Sequence, residues 1–451
     1  MSASSSLFAR ATGSLLVCAA VSVAQAACID ENQFARTGTG EADSAAPVEP
    51  RVVLQGMVRD ALTRSQSVGA TRLLADAALL DIDEARAAKS LQAGLSGEAG
   101  PALTQSGGIT ASSALQLRSS LSVSKLLYDG GRTDRLTDWR TQLAESARLG
   151  HLSNQEQIAL NTVALGLERS RYRQHVQVYG QYVRKMGCLV EALETIVRAD
   201  RGRASELVQA RKSMQQAELA QHAAQSQVRQ VELRLRRLVG DGLPSVTGLA
   251  SVLLDVPELA AMDSDVARST DIAQLGAQAA ALGQYAAAVA SGDKPQVSWT
   301  LGGSKTLAVG PRSADQRGAS LGLGVAVNIP LLSPGVAPAA DAARKRAQAA
   351  TLQREDALES RRYRAREVHE QTVNAFERAT RLGQVLRDSE QVRNFTLQQW
   401  QQLGKRSMFD VMSAEGEHYN LRVAHVNALH DGQQMNAVLL SLGRGVAEWL
   451  R

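Results

Sequence analysis

The chain repeats itself at one fixed spacing. Gln66-Ser67-Val68-Gly69-Ala70 corresponds to Thr270-Asp271-Ile272-Ala273-Gln274, 204 residues on. Leu117, Leu121 and Val123 correspond to Leu321, Val325 and Val327 at the same offset. Leu127-Tyr128-Asp129-Gly130-Gly131 matches Leu331-Leu332-Ser333-Pro334-Gly335, and Glu206-Leu207 with Ala210 matches Asp410-Val411 with Ala414. Each identity alone is weak. An offset that never changes points to a duplication, so the fold must be one that two copies of a single unit can build.

Each half reads helix, strand, strand, long helix, return helix. The opening helix is expected over about 52–90 and, in the second half, about 264–291, from Ala and Leu at helical spacing. Alternating stretches follow. Leu115, Leu117, Leu121 and Val123 point one way, and Gln116, Arg118, Ser120, Ser122 and Ser124 the other. Leu321, Leu323, Val325, Val327 and Ile329 alternate with Gly322, Gly324, Ala326 and Asn328, and Val297, Trp299 and Leu301 with Ser298 and Thr300. The partner strand near Ala93 and Leu95 is the weakest of the four. Gly107-Gly108 and Gly310-Pro311-Arg312-Ser313 are the expected loops. Period two with one polar face suits a half-buried strand or a membrane-barrel strand.

Proline is absent from Ala102 through Leu243 and from Ala339 to the end. Since proline breaks helices, such stretches permit very long ones. Arg132–Ala199 would make a helix of about 100 Å, and Ala339–Leu403 one nearly as long, at about 1.5 Å per residue. Each ends at a polar turn, Asp200-Arg201-Gly202-Arg203 or Gly404-Lys405-Arg406-Ser407, and a return helix then runs to Gly240 or Gly443. Coiled-coil packing is the natural way to bury the apolar stripes of such helices.

The start reads as a secretory signal. Arg10 precedes a short apolar core, Ser14–Val21, and Ala24-Gln25-Ala26 supplies a small-x-small cleavage pattern. Cys28 invites comparison with a lipid-anchored start, but Gln25 stands where such a site wants leucine. The expected division is a signal over 1–26, a flexible segment over 27–51, a first repeat over 52–243, a linker over 244–263, a second repeat over 264–443 and a tail over 444–451. After cleavage only Cys28 and Cys188 remain, too few for a disulfide scaffold, and nothing in the sequence argues for their pairing.

Several function classes drop out. The net charge of +5 is scattered and aromatics are 4%, which does not suit nucleic-acid binding. Glu415, His418 and His425 share helical spacing, but histidines seven apart with no further ligand make a poor metal set. His369-Glu370 lacks the second histidine of a zinc hydrolase, and no phosphate loop or nucleophile elbow is present. Gly302-Gly303 and the glycines from Gly318 to Gly324 suit close strand packing. The chain is expected to be no enzyme, with no cofactor and no metal.

Beyond the signal no apolar run is long enough for a spanning helix. The candidate membrane strands number about four, and four cannot close a barrel, whose open edges lipid would not tolerate. Three copies would give twelve strands, continued by helices. A soluble coiled-coil protein with a small β-domain, serving as a structural or surface protein without a pore, is the alternative that this pattern leaves open.

From Val52 to Gly443 the sequence resembles the TolC family of outer-membrane factors. The resemblance rests on Leu127-Tyr128-Asp129-Gly130-Gly131, at the strand-to-helix junction, and on Gly404-Lys405-Arg406-Ser407-Met408-Phe409-Asp410-Val411-Met412-Ser413-Ala414, which looks like the family's turn. It implies an α+β membrane protein: a homotrimer with a twelve-stranded barrel in the outer membrane of a Gram-negative cell and a helical coiled-coil tunnel through the periplasm. It also implies a periplasmic adaptor and an inner-membrane ABC or proton-driven pump as partners.

The resemblance further implies residue roles. Asp410 would line the periplasmic constriction, as a ring of three carboxylates. A second family aspartate falls on Ser413, so that ring should be weaker. Asp410 also reads as an ordinary acid at a helix start. Arg406 would bond to Glu206, beside Ser205, to hold the tip shut, and the family's latch tyrosine falls on Gln401. Tyr128, Gly130 and Gly131, with Pro334 and Gly335, would form the two strand-to-helix junctions. The lack of a lipid-anchor signature tilts the expected cargo towards a protein or toxin of type I secretion, with small-molecule efflux as the alternative.

Overall fold

The computed structural model describes residues 49–106, 109–245, 248–309, 318–403 and 405–451. The expected signal and both expected strand loops lie outside them. Two helices, α1 (Pro50–Arg64) and α2 (Gln66–Ala87), lead into strands β1 (Gln92–Ser106) and β2 (Ile109–Tyr128). The long helix α3 (Arg132–Ala199) follows, then a 3₁₀ turn (Arg201–Arg203) and the return helix α4 (Ala204–Val239). The second half holds α5 (Leu259–Ala267), α6 (Thr270–Val289), β3 (Gln296–Val309), β4 (Gly318–Asn328), α7 (Val336–Leu403) and α8 (Met408–Leu442). A short α9 (Val446–Trp449) ends the chain. The starts Gln66 and Thr270, Gln92 and Gln296, Arg132 and Val336, and Ala204 and Met408 are each 204 residues apart.

Four expectations change. The opening helix of each half is two helices. Ser65 leaves helical geometry (φ −68°, ψ 113°), and the second half breaks between Ala267 and Thr270. Helix α1 begins at Pro50, inside the segment expected to be flexible, because proline is preset for a first helical position whose N–H has no partner anyway. Helix α5 begins inside the expected 244–263 linker, and the expected tail carries α9.

The chain divides into two compact units. One takes Met1–Ser65 (described from Glu49), Glu156–Asp265 and Tyr363–Arg451, and the other Gln66–Gln155 and Val266–Arg362. The first has two apolar clusters. Leu54, Met57, Val163, Leu167, Leu235 and Leu249 centre one, and Met186, Leu189, Leu193, Met408 and Val411 the other. Gln433 and Asn436, both fully buried, donate from their side-chain amides to the carbonyls of Leu249, Val252, Leu253 and Asp255. Those bonds tie the irregular inter-repeat segment to α8 and satisfy the buried carbonyls of Leu249, Val252 and Leu253.

The second unit packs its helices on alanine. Ala144, Ala277, Ala281, Ala286, Ala340 and Ala343 are buried, so backbones approach closely with little bulk between them. Its sheet runs β1-β2-β3-β4, antiparallel throughout. Register separates the two faces. Leu95, Leu117, Leu121, Val123, Trp299, Leu301, Leu323 and Val325 share one, interrupted by Ser119, Lys125 and Lys305. Ser96, Glu98, Gln116, Arg118, Ser120, Thr300, Ser304 and Ser320 share the other. Glu98 stands directly opposite Arg118, and hydroxyl pairs Ser96–Ser120 (2.7 Å) and Ser304–Ser320 (2.8 Å) bridge neighbouring strands. The apolar face is bare, with Leu321 82% exposed. Among the described residues β1 and β4 each pair on one side only, and no helix is long and apolar enough to cross a membrane.

Candidate functional site

The strand-to-helix junction is a glycine turn. Gly130 (φ +68°) and Gly131 (φ +81°) take left-handed conformations that residues with a Cβ adopt only at a cost. Asp129 caps α3, its carboxylate accepting from the N–H groups of Gly131 (3.1 Å) and Thr133 (2.7 Å). Burial pushes the Asp129 carboxyl up, but a hydrogen bond from the Thr133 side chain, together with those from the Thr133 and Gly131 N–H groups, outweighs it and holds it below its ordinary value. Tyr128, beside them, is exposed. In the second half Ser333, Pro334 and Gly335 turn the chain, with Val336 N–H donating to Ser333 O (3.1 Å) and Ala339 N–H to Gly335 O (3.1 Å).

The polar turns between long and return helices are capped by side chains. Asp200 accepts from the N–H of Gly202 (3.0 Å). Ser407 and Asp410 form a capping box: Ser407 Oγ accepts from Asp410 N–H (3.4 Å), and Asp410 Oδ2 from Ser407 N–H (3.2 Å). Asp410 therefore fills the helix-start role. Its side chain is still half exposed, which leaves the carboxylate open to ions as well. One turn further on, Met412, Ser413, Gly416, Glu417, Asn420, Leu421 and Ala424 line an open groove of about 560 Å³ along one face of α8.

No family model matches the sequence, and no curated protein does. Solved structures do match. CusC, from work on its folding and transmembrane channel formation, superposes with a TM-score of 0.76 at 16% identity, over 87% of this chain and 92% of that chain. VceC, an outer-membrane protein of Vibrio cholerae, gives 0.74 at 18% identity, over 87% and 96%. The open state of the MtrE outer-membrane channel of Neisseria gonorrhoeae gives 0.69 at 16%, over 87% and 89%. The chain has the TolC-family fold.

Within that TolC-family fold, a single chain does not bring the expected latch residues together. Arg406 donates from Nε to Gln399 Oε1 (3.2 Å) and stands 4.0 Å from Asp410 Oδ2. Glu206 is partly covered, and its Oε2 is buried without a hydrogen-bond partner. Ser205 is exposed and Gln401 half-buried. Cys188 is disulfide-bonded, with its partner outside the described residues.

The sequence sets Glu415, His418 and His425 aside as a poor metal set and does not show what surrounds the first two. Glu415 lies between Lys185 of α3, 3.6 Å away, and Arg393 of α7, 3.7 Å away. His418 is pushed down to about 4 by burial first, then by the positive charges of Arg393 and Arg422. Its imidazole is therefore neutral at physiological pH. The signal was three charged residues set on buried helix faces, but only the fold shows that those faces meet.

Proposed function

We propose that three copies of this chain form a passive export channel in the outer membrane of a Gram-negative cell, with the helices extending it into the periplasm. The four-stranded sheet carries this reading. Its bare apolar face suits lipid, its polar face suits water, and its two one-sided strands need partners that lipid cannot supply. Further copies of the same chain satisfy all three demands.

The channel does no chemistry and uses no cofactor. A periplasmic adaptor and an inner-membrane pump, ABC-type or proton-driven, supply the energy. The Arg406–Glu206 latch acts between copies, since in one chain Arg406 is held by its own turn. The cargo is a protein exported by type I secretion. The polar face of the sheet supports passage of a polypeptide: it carries mostly Gly, Ser and Thr, and its Glu98 is opposed by Arg118, so little charge or bulk would hold a chain back.

Light scattering in detergent tests the assembly, and a well-behaved monomer would refute it. Ion conduction in a planar bilayer tests the pore. Deleting the gene tests the cargo: loss of a secreted protein supports this reading, whereas drug hypersensitivity with secretion intact makes the channel one of small-molecule efflux.

A further inference from the structure

The charge cluster at Glu415 sits in the unit that holds both polar turns, next to the apolar cluster of Met186, Leu189, Met408 and Val411. Glu415 is completely buried, Lys185 is 6% exposed and Arg393 10%. Side chains of three helices thus meet at one carboxylate. Among the described residues, Glu390 lies 4.0 Å from Arg393, and Arg422 is stacked over Tyr419 at 5.4 Å. Tyr182 of α3 stacks on Tyr419 of α8 with ring centroids 4.7 Å apart, and Ser389 of α7 meets His418 Nδ1 at 3.4 Å. Both of these last contacts join α8 to α3 or α7.

Buried ion pairs are seldom the cheapest way to hold helices together. Apolar residues of the same volume often do as well or better, because desolvating charge is costly. What a charge cluster does better is penalise wrong settings, since any rotation or slip strands a buried charge. Geometry shows which setting is enforced here. An α-helix turns about 100° per residue, so Met408, Val411, Met412 and Tyr419 lie within about 60° of Glu415 around α8, while Ser413, Glu417 and Ala424 lie about 160–180° round. Those last three line the open groove, and Met412 forms its edge nearest Glu415. Asp410 is about 140° round from Glu415.

We infer that Glu415 is the positioning residue of α8: held by Lys185 and Arg393, it fixes the rotation of this helix and so decides that Asp410, Ser413 and Glu417 face the conduit. This role rests on the channel reading above, and it differs from the latch, which concerns residues of the turns.

The test uses the full-length trimer and two variants. Glu415→Gln leaves two buried cations without their carboxylate. Lys185→Met/Arg393→Met/Glu415→Met removes every charge and keeps the bulk. Hydrogen exchange of the amides over 408–424 and single-channel conductance are read together, with melting of the whole trimer as the control for general damage. Losing one partner of a buried pair should raise exchange in Glu415→Gln on the order of 10²-fold. Conductance should become larger or unsteady, with trimer melting little changed. The triple variant should recover protection, because no charge is stranded, yet remain noisier than wild type in conductance because the rotation is no longer specified. Wild-type exchange and conductance in Glu415→Gln would overturn the assignment, as would a triple variant with a fully wild-type conductance record. If the wild-type trimer conducts no ions at all, the channel reading fails, and the exchange measurements alone decide whether Glu415 holds the helix.

Discussion

Asp410 can be tested so that its two roles separate. Asp410→Ala removes both the carboxylate charge and the acceptor for the Ser407 N–H. Asp410→Asn removes the charge but keeps an oxygen in the capping position. The hydrogen bond that Asp410 accepts from the Ser407 N–H is worth about 1 kcal/mol or less. The contact with Arg406, at 4.0 Å and with both side chains about half exposed, adds less than about 1 kcal/mol. Because the carboxylate is half in water, a cation passing within about 4 Å gains only on the order of 1 kcal/mol. That is about a fivefold preference. Wild-type channels should therefore favour cations over anions by a few-fold in reversal potentials measured across a salt gradient. Asp410→Asn should abolish the preference with the melting temperature nearly unchanged. Asp410→Ala should abolish it and also lose about 1 kcal/mol or less of stability through the lost return bond from the Ser407 N–H, while the Ser407 cap itself remains. Both changes should remove block by trivalent cations from the periplasmic side, and Ser413→Asp should strengthen it. Selectivity that survives in Asp410→Asn would refute the pore role and leave a helix cap alone.

Arg406→Ser and Glu206→Ala should each raise conductance without loss of the trimer, and wild-type conductance in both singles and the double would remove the latch. Glu232 accepts from Arg169 (2.8 Å) and Arg173 (2.9 Å). Burial pushes its carboxyl up, but those two bonds outweigh burial and hold it below its ordinary value. A folded value below the unfolded one means this stabilisation is complete above about pH 5 and is lost as pH falls through the folded value. Melting curves should thus show Glu232→Gln trailing wild type at neutral pH and converging with it in acid; a constant gap would refute this. Thiol labelling of the unfolded, unreduced protein should find no free thiol at Cys188, with labelling appearing only after reduction.

Much of the architecture is legible in the sequence because its punctuation is chemical. Glycines mark most of the helix ends, so α3 runs over the residues expected for it and both return helices stop at the expected glycines, whereas α7 starts at Val336, ahead of the expected Ala339, with Pro338 in its first turn. The breaks after Ser65 and before Thr270 carry no such mark, and helical spacing runs through both. Strand β1 is faint because Gln92–Gly100 is rich in Gly and Ala; pairing with β2, rather than its own propensity, makes it a strand. The Asp410 turn is legible as a motif because its residues are contiguous. Glu415 is not, because Lys185 lies on a different repeat and only packing unites them. The latch is an ion pair that only the family resemblance implies, and a single chain gives Arg406 other partners.

The one-sided strands also set the order in which this protein can be made. A newly exported chain can bury its helical clusters alone, since their members lie within one chain. On the three-copy reading proposed above, its sheet cannot finish until two further chains arrive. Until then β4 offers a bare row of Leu and Val beside unpaired backbone groups, the surface on which chains aggregate. Maturation should therefore slow steeply as the chain becomes scarce, and an over-supplied chain should precipitate through its strands while its helices remain correctly folded.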